Sequence, residues 1–177
     1  MPDTTSMDLK KFIRDVPDFP KPGIMFKDIT PLLGDFAAFR EAITRMADHF
    51  RALDIDMVAA AEARGFLIAA PLALELGVGF VPIRKPGKLP YKKRSYSYQL
   101  EYGTDTLEMH IDGIEPHQRV LVVDDLLATG GTVDACCQMI TECTAQIVGC
   151  AFLIELAFLG GAQRLAPHPV FSVIRFD

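Results

Sequence analysis

The sequence predicts an α/β fold, with a central, mainly parallel sheet flanked by helices. Short apolar runs suited to buried strands alternate along the chain with segments of helical periodicity. Such alternation calls for right-handed crossovers, which lay helices on both faces of a parallel sheet. Half of the 177 residues are hydrophobic and 23% are charged, so one domain spanning residues 1–177 can bury a sizeable core. No fixed-period repeat or low-complexity run divides it. A formal charge of −5 disfavours a general nucleic-acid binder. No apolar stretch approaches the ~18–20 residues of a membrane helix. MPDTTSMDLKKF lacks the apolar core of a secretion signal, so a soluble cytoplasmic protein is expected, with neither nucleic acid nor membrane as partner.

The elements follow in order. From Asp35 to Leu53, apolar residues at Phe36, Phe39, Ile43, Met46, Phe50 and Leu53 form one helical stripe, with Asp35 as N-cap. Met57–Ala61 reads as a buried strand, Gly65–Leu76 as a helix stopped by Gly77, and Gly79–Ile83 as a second strand. Ser95–Leu100 and Thr106–Ile111 alternate in character across Gly103 and predict an antiparallel hairpin. Arg119–Asp124 is a strand, Gly131–Cys143 a helix, Ile147–Glu155 a strand and Val170–Phe176 a last strand. Cys136, Cys137, Cys143 and Cys150 have no metal-ligand spacing and are expected as buried, reduced thiols acting as small apolar side chains. The four histidines form no HExxH-like pair, so no direct metal site is expected.

In open α/β sheets the ligand lies beyond the carboxyl ends of the strands. That rule points to Glu62–Arg64, the basic loop from Arg84, Asp124–Thr132 and Glu155–Leu159. The segment VLVVDDLLATGGT, Val120–Thr132, is the most informative: an apolar strand, two carboxylates, and a Thr-Gly-Gly-Thr turn opening a helix. Free N–H groups at the helix N-terminus, approached closely because of the glycines, form an anion cradle to which Thr129 and Thr132 add hydroxyls. Charge-assisted bonds are worth ~1.5–3 kcal/mol each, so several hold a phosphate monoester firmly. Carboxylates accept hydrogen bonds from vicinal hydroxyls. Asp124 and Asp125 therefore suit a ribose diol, and Ala128, Thr129, Gly130, Gly131 and Thr132 its 5-phosphate. The P-loop lysine and a dinucleotide fingerprint are both absent.

Elsewhere, Arg84, Lys85, Lys88, Lys92, Lys93 and Arg94 put six cations into eleven residues, and Pro86, Gly87 and Pro90 prevent a helix there. Leaving a strand at the ligand edge, this loop can close over a polyanion, stabilise developing charge and exclude water. The Arg64 fork at a helix start suits a diphosphate.

VLVVDDLLATGGT resembles the 5-phosphoribosyl-1-pyrophosphate motif of type I phosphoribosyltransferases. FPKPGIMFKDITPLL (Phe19–Leu33), EARGF (Glu62–Phe66) and RKPGKLPYKKRSYSYQLEYG (Arg84–Gly103) narrow the resemblance to the adenine-specific branch of that family, from about Leu9 onward. The resemblance implies a type I phosphoribosyltransferase-like fold, an N-terminal base-binding hood (1–34) and a flexible catalytic loop built as a hairpin (84–103). It implies transfer of the 5-phosphoribosyl group from its pyrophosphate to adenine, giving AMP and pyrophosphate, in a homodimer. Mg²⁺ is implied as cofactor, held through substrate oxygens and water near Asp124 and Asp125.

The resemblance also implies residue roles. Glu101, which alternation alone reads as an exposed strand residue, becomes the proton donor or acceptor near adenine N7, and Tyr102 neighbours the ribose. Arg64 and Lys85 join Glu101 as catalytic residues, and Arg84 is offered to the neighbouring subunit's site. Phe26, in a stretch read as irregular, lies against the base, while the backbone at Met25 and Lys27 reads its edge and Leu156 caps it. Glu62–Arg64 corresponds to a pyrophosphate loop that often holds a cis peptide. Ala63 stands where many relatives carry serine, and Lys27 where they carry arginine. The alternatives are a phosphoribosyltransferase for hypoxanthine or guanine, and a non-catalytic sensor of the sugar phosphate.

Overall fold

The computed structural model describes residues 7–100 and 103–177. After a 3₁₀ turn at Leu9–Phe12, an antiparallel ribbon forms from β1 (Arg14–Pro17) and β2 (Met25–Asp28). Helices α1 (Thr30–Gly34) and α2 (Phe36–Phe50) follow, then β3 (Met57–Ala61), α3 (Gly65–Leu76) and β4 (Gly79–Ile83). A hairpin of β5 (Lys93–Leu100) and β6 (Gly103–His110) precedes β7 (Arg119–Leu127), α4 (Gly131–Thr141) and β8 (Gln146–Leu156). The 3₁₀ turn Ala157–Leu159, α5 (Gly161–Arg164) and β9 (Val170–Phe176) complete the order.

The sheet runs β4-β3-β7-β8-β9 with every neighbouring pair parallel, the fold class the alternation predicts. Period-two alternation divides its side chains between two cores. Val58, Ala60, Leu121 and Val123 pack with Met46 and Phe50 of α2 and Ile68 and Leu72 of α3. Ala59, Ala61, Val120 and Val122 face the opposite way, with Cys136, Met139 and Ile140 of α4. Each large apolar side chain fully buried this way contributes ~1.5–3 kcal/mol, so both faces anchor the sheet. The four cysteines are buried and unbridged, as expected of small apolar side chains.

Local signals place the helix ends. The Asp35 carboxylate accepts a hydrogen bond from the Ala38 N–H at 2.9 Å, capping α2, and Gly77 ends α3 in a left-handed conformation. Two expectations need correction. Met25, Phe26 and Lys27 are not irregular: they lie in β2, paired with Pro17, Val16 and Asp15. The prolines and glycine before them (Pro20, Pro22, Gly23) belong to the turn that joins the ribbon, where the Gly23 N–H donates to Asp18 Oδ1 at 2.7 Å. The strand expected to end at Asp124 continues to Leu127, so Asp125 also stands within β7. β3 pairs with β7 only as far as Val123, whereas β8 continues to pair out to Leu127, so the two carboxylates overhang the end of β3.

Candidate active site

The chain leaves β3 for one side of the sheet and β7 for the other, so the crevice between their carboxyl ends is a topological switch point. The overhanging carboxylates lie beside it. Asp125 is 4% exposed, and its Oδ2 has no aligned hydrogen-bond donor, although Arg64 Nε approaches to 3.1 Å. Burial first, and repulsion from Asp125 second, push the Asp124 carboxyl well above its ordinary range. Burial also raises Asp125, against the pull of Arg64. Close approach is possible because Gly65 opens α3: a Cβ there would stand 2.8 Å from Asp124 Oδ1. Once ionised, two such weakly acidic carboxylates are strong hydrogen-bond acceptors, suited to hydroxyl or water donors.

Beyond them the strand turns into α4. Gly130 caps the helix with φ +81°, and Asp124, Ala128, Thr129, Gly130, Gly131 and Thr132 surround a cavity of about 130 Å³. The N–H groups of the first helical turn are free there, as an anion requires. The loop rests on α5, where a Cβ at Gly161 would fall 2.3 Å from the Ala128 carbonyl oxygen. Arg164 Nε, 3.3 Å from Asp134 Oδ2, ties α5 to α4. Sequence reading missed this support, because nothing near Gly161 signals contact with a loop thirty residues earlier.

The turn after β3 holds a cis peptide between Glu62 and Ala63, the feature implied for this loop. The Glu62 carboxylate accepts the Lys85 N–H at 2.5 Å and an Arg84 Nη2 donor at 3.2 Å, so it joins the ends of β3 and β4. Burial alone would raise Glu62, but these donors together hold it below its ordinary range. Thus Arg84 turns to Glu62 within its own chain, and Lys85 is ion-paired with Asp105, whose carboxyl it holds low. Lys93 bonds the buried Glu108 at 2.8 Å, and Glu108 also accepts the Gly87 N–H at 3.0 Å. Among the described residues, three of the six cations therefore have acidic partners, and the loop is built around Glu62, Asp105 and Glu108. Spacing shows these acids only once the hairpin register is known.

The β1–β2 ribbon covers the same edge of the sheet. Phe26 meets Phe19 edge-on at 5.0 Å, and the Arg64 guanidinium carbon lies 5.1 Å from the Phe26 ring centre. Lys27 Nζ bonds Asp15 at 2.6 Å and sits 4.1 Å from the centre of the Phe176 ring. Phe176 is opposite Leu156 in the β8–β9 register, so Lys27 and Leu156 flank one end of the sheet and Phe26 the switch point. Leu156 itself is partly buried against the α2–α3 core. Met25 is half-exposed. Glu101 and Tyr102 lie outside the described residues. Among the described residues, no cluster of three or more His, Cys, Asp or Glu side chains is placed to hold a metal, and no helix is long and apolar enough to cross a membrane.

A parallel sheet with a phosphate cradle and an acidic pair at its switch point defines a phosphoribosyl-binding protein, and residues 33–174 match the family model described as phosphoribosyl transferase domain. An adenine phosphoribosyltransferase of Rhodopirellula baltica is 58% identical over 96% of this chain and 82% of its own length. The structure of adenine phosphoribosyltransferase from Thermoanaerobacter pseudethanolicus superposes with a TM-score of 0.92 at 52% identity, covering 95% of this chain and 98% of that one. The Saccharomyces cerevisiae enzyme, solved with adenine and an imino-altritol bisphosphate, superposes with a TM-score of 0.86 at 38% identity over 93% and 95% of the two chains. The chain belongs to the adenine phosphoribosyltransferases.

Proposed function

We propose that this chain transfers the 5-phosphoribosyl group from 5-phosphoribosyl-1-pyrophosphate to N9 of adenine, releasing pyrophosphate and forming AMP. The observation that carries the reading is the meeting, at one switch point, of the Asp124–Asp125 pair, the cradle at Ala128–Thr132 and Arg64, which reaches both Asp125 and Phe26. The cradle holds the 5-phosphate, and the acidic pair accepts the ribose hydroxyls. Arg64, Arg84 and Lys85 face the pyrophosphate as the C1′–oxygen bond breaks and negative charge builds on the leaving group. That requires Lys85 to leave Asp105 and Arg84 to leave Glu62, each exchanging one anion for another.

For the base, Phe26 supplies an aromatic face, and Leu156 caps the pocket. The Met25 carbonyl lies opposite Pro17, which has no N–H to donate to it, so this oxygen suits the adenine amino group. Main-chain groups around Lys27 complement the ring nitrogen beside it. A base with donor and acceptor reversed leaves buried groups unpaired, a mismatch that discriminates by ~10⁴ or more. Glu101 exchanges the proton near N7 as N9 attacks C1′, and Tyr102 adjoins the ribose.

Mg²⁺ fits the same residues. The unbonded, buried Asp125 Oδ2 suits the water shell of a hard cation carried by substrate oxygens, whose charge would favour the ionised form of both carboxyls. Bound there, the ion would offset pyrophosphate charge. The N-terminal segment 1–34 acts as the hood and 84–103 as the closing loop of one domain. The enzyme acts as a cytoplasmic homodimer in which Arg84 reaches the neighbouring site. Phe36 (78% exposed), Leu67 and Leu74 (83% exposed) leave an apolar face on α2 and α3 suited to a second copy.

A product assay with the activated sugar and adenine, hypoxanthine or guanine, with and without Mg²⁺, tests the reading. AMP formation dependent on Mg²⁺ supports it. Preference for another base overturns the adenine assignment, and sugar binding without turnover points to a sensor. Glu101→Gln should lower kcat by ~10²-fold.

A further inference from the structure

Tyr98 stands in β5, directly across from Asp105 of β6, and has no role in the site as proposed above. With Tyr96 it faces inward, and its ring packs against the core cluster that includes Leu127 and Val133, on either side of the phosphate cradle. This packing aims the phenol. Its hydroxyl lies 3.3 Å from Asp105 Oδ2 and 3.4 Å from Thr132 Oγ1. Asp105 is in turn the partner of Lys85. A continuous polar chain, Thr132–Tyr98–Asp105–Lys85, thus runs from the helix that grips the phosphate to the loop that carries the cations.

Proton inventory orders this chain. Asp105, paired with a cation, is an acceptor only. Tyr98 must therefore donate to Asp105 and accept from Thr132. Among the described residues, the Tyr98 hydroxyl joins the hairpin to the cradle through Thr132 Oγ1, beside the apolar packing of its ring.

We propose that Tyr98 is a positioning residue for the phosphoribosyl substrate: through Thr132 it holds the hairpin down on the phosphate cradle, and through Asp105 it keeps the Lys85 ion pair beside the site, from which Lys85 passes to the pyrophosphate. The inference rests on the proposed binding of 5-phosphoribosyl-1-pyrophosphate but not on which base accepts the sugar.

The test is calorimetric binding of 5-phosphoribosyl-1-pyrophosphate to wild type, Tyr98→Phe, Thr132→Val and the double variant, with Tm measured for each. Phe keeps the ring and its packing, so Tm should be unchanged. Kd should rise by about 5–10-fold, the weight of the neutral Tyr98–Thr132 hydrogen bond, which is the one of its two bonds that reaches the cradle, and adenine KM should stay constant. In the Thr132→Val background the same substitution should have less than about half that effect, because its partner is already gone. An unchanged Kd in Tyr98→Phe, an equal rise in adenine KM, or a full effect without the Thr132 hydroxyl overturns the proposal. Failure of the wild type to bind this sugar overturns the proposal and the functional reading together. Normal binding with a base other than adenine overturns only the latter.

Discussion

Arg64 Nε lies 3.1 Å from Asp125 Oδ2, and the same guanidinium stands 5.1 Å from the Phe26 ring, so one side chain joins the acidic pair of β7 to the β1–β2 ribbon. It does so from the first position before α3, where the chain turns after β3. Arg64→Lys keeps the charge but loses the planar fork and its stacking on Phe26. The expected result is at least a 10-fold loss in kcat/KM with raised KM for both adenine and the activated sugar. Steady-state kinetics check it, and a change in only one KM would remove the bridging role.

Asp124 carries a stability cost that the active site imposes. Its folded-state carboxyl titrates above its unfolded value because of burial and the neighbouring Asp125. The native state therefore binds more protons between those two values, and stability falls as pH rises through that window. Asp124→Asn removes the cost. Above the window its Tm should exceed wild type by about 2–4 °C, the shift that ~1 kcal/mol produces in a chain of this size. Below the ordinary carboxylate range the advantage should vanish, while activity falls sharply at every pH. Thermal melts from pH 3 to 9 provide the measurement.

Gly161→Ala should damage substrate binding from outside the site. The new methyl meets the Ala128 carbonyl at 2.3 Å and must push the cradle loop away. The KM for the activated sugar should rise more than that for adenine, and Tm should fall. Gly34→Ala is the control, since a Cβ there meets nothing within 4 Å. Equal kinetics for both variants would mean the loop yields without cost.

Lys93 and Lys92 are neighbours, but of the two only Lys93 has an acidic side-chain partner among the described residues. Lys93 Nζ bonds the buried Glu108, which it holds below its ordinary range, so this pair stabilises the fold above the unfolded carboxylate value and is lost as pH falls through the lowered one. Lys93→Ala should lower Tm at neutral pH and narrow the gap to wild type in acid. Lys92→Ala should leave Tm unchanged. A pH-independent loss for Lys93→Ala would assign its effect to packing of the stem.

Much of this arrangement is legible without coordinates. The strand runs, the Asp35 cap, the Gly77 stop and the acid pair followed by Thr-Gly-Gly-Thr are local patterns, in which neighbours along the chain set the backbone. At Met25–Lys27 the preceding prolines and glycine obscure a four-residue strand paired with β1. The extension of β7 through Asp124 and Asp125 depends on β8 outlasting β3 as a neighbour, which no local pattern encodes. Tyr98 and Asp105 become partners only through hairpin register, being equally far from the turn.

By itself the sequence determined the α/β class, the order of its strands and helices along the chain, and the segment suited to a phosphate, because periodicity, capping and loop chemistry act over a few residues. Only the tertiary structure decided that Arg64 reaches both Asp125 and Phe26, that Gly161 lies under Ala128, and that Glu62, Asp105 and Glu108 each take up a cation of the basic loop. Those contacts join residues twenty or more positions apart in nearly every case, and their distances follow from how strands end against one another in the sheet, a property of the packed molecule rather than of any stretch of it.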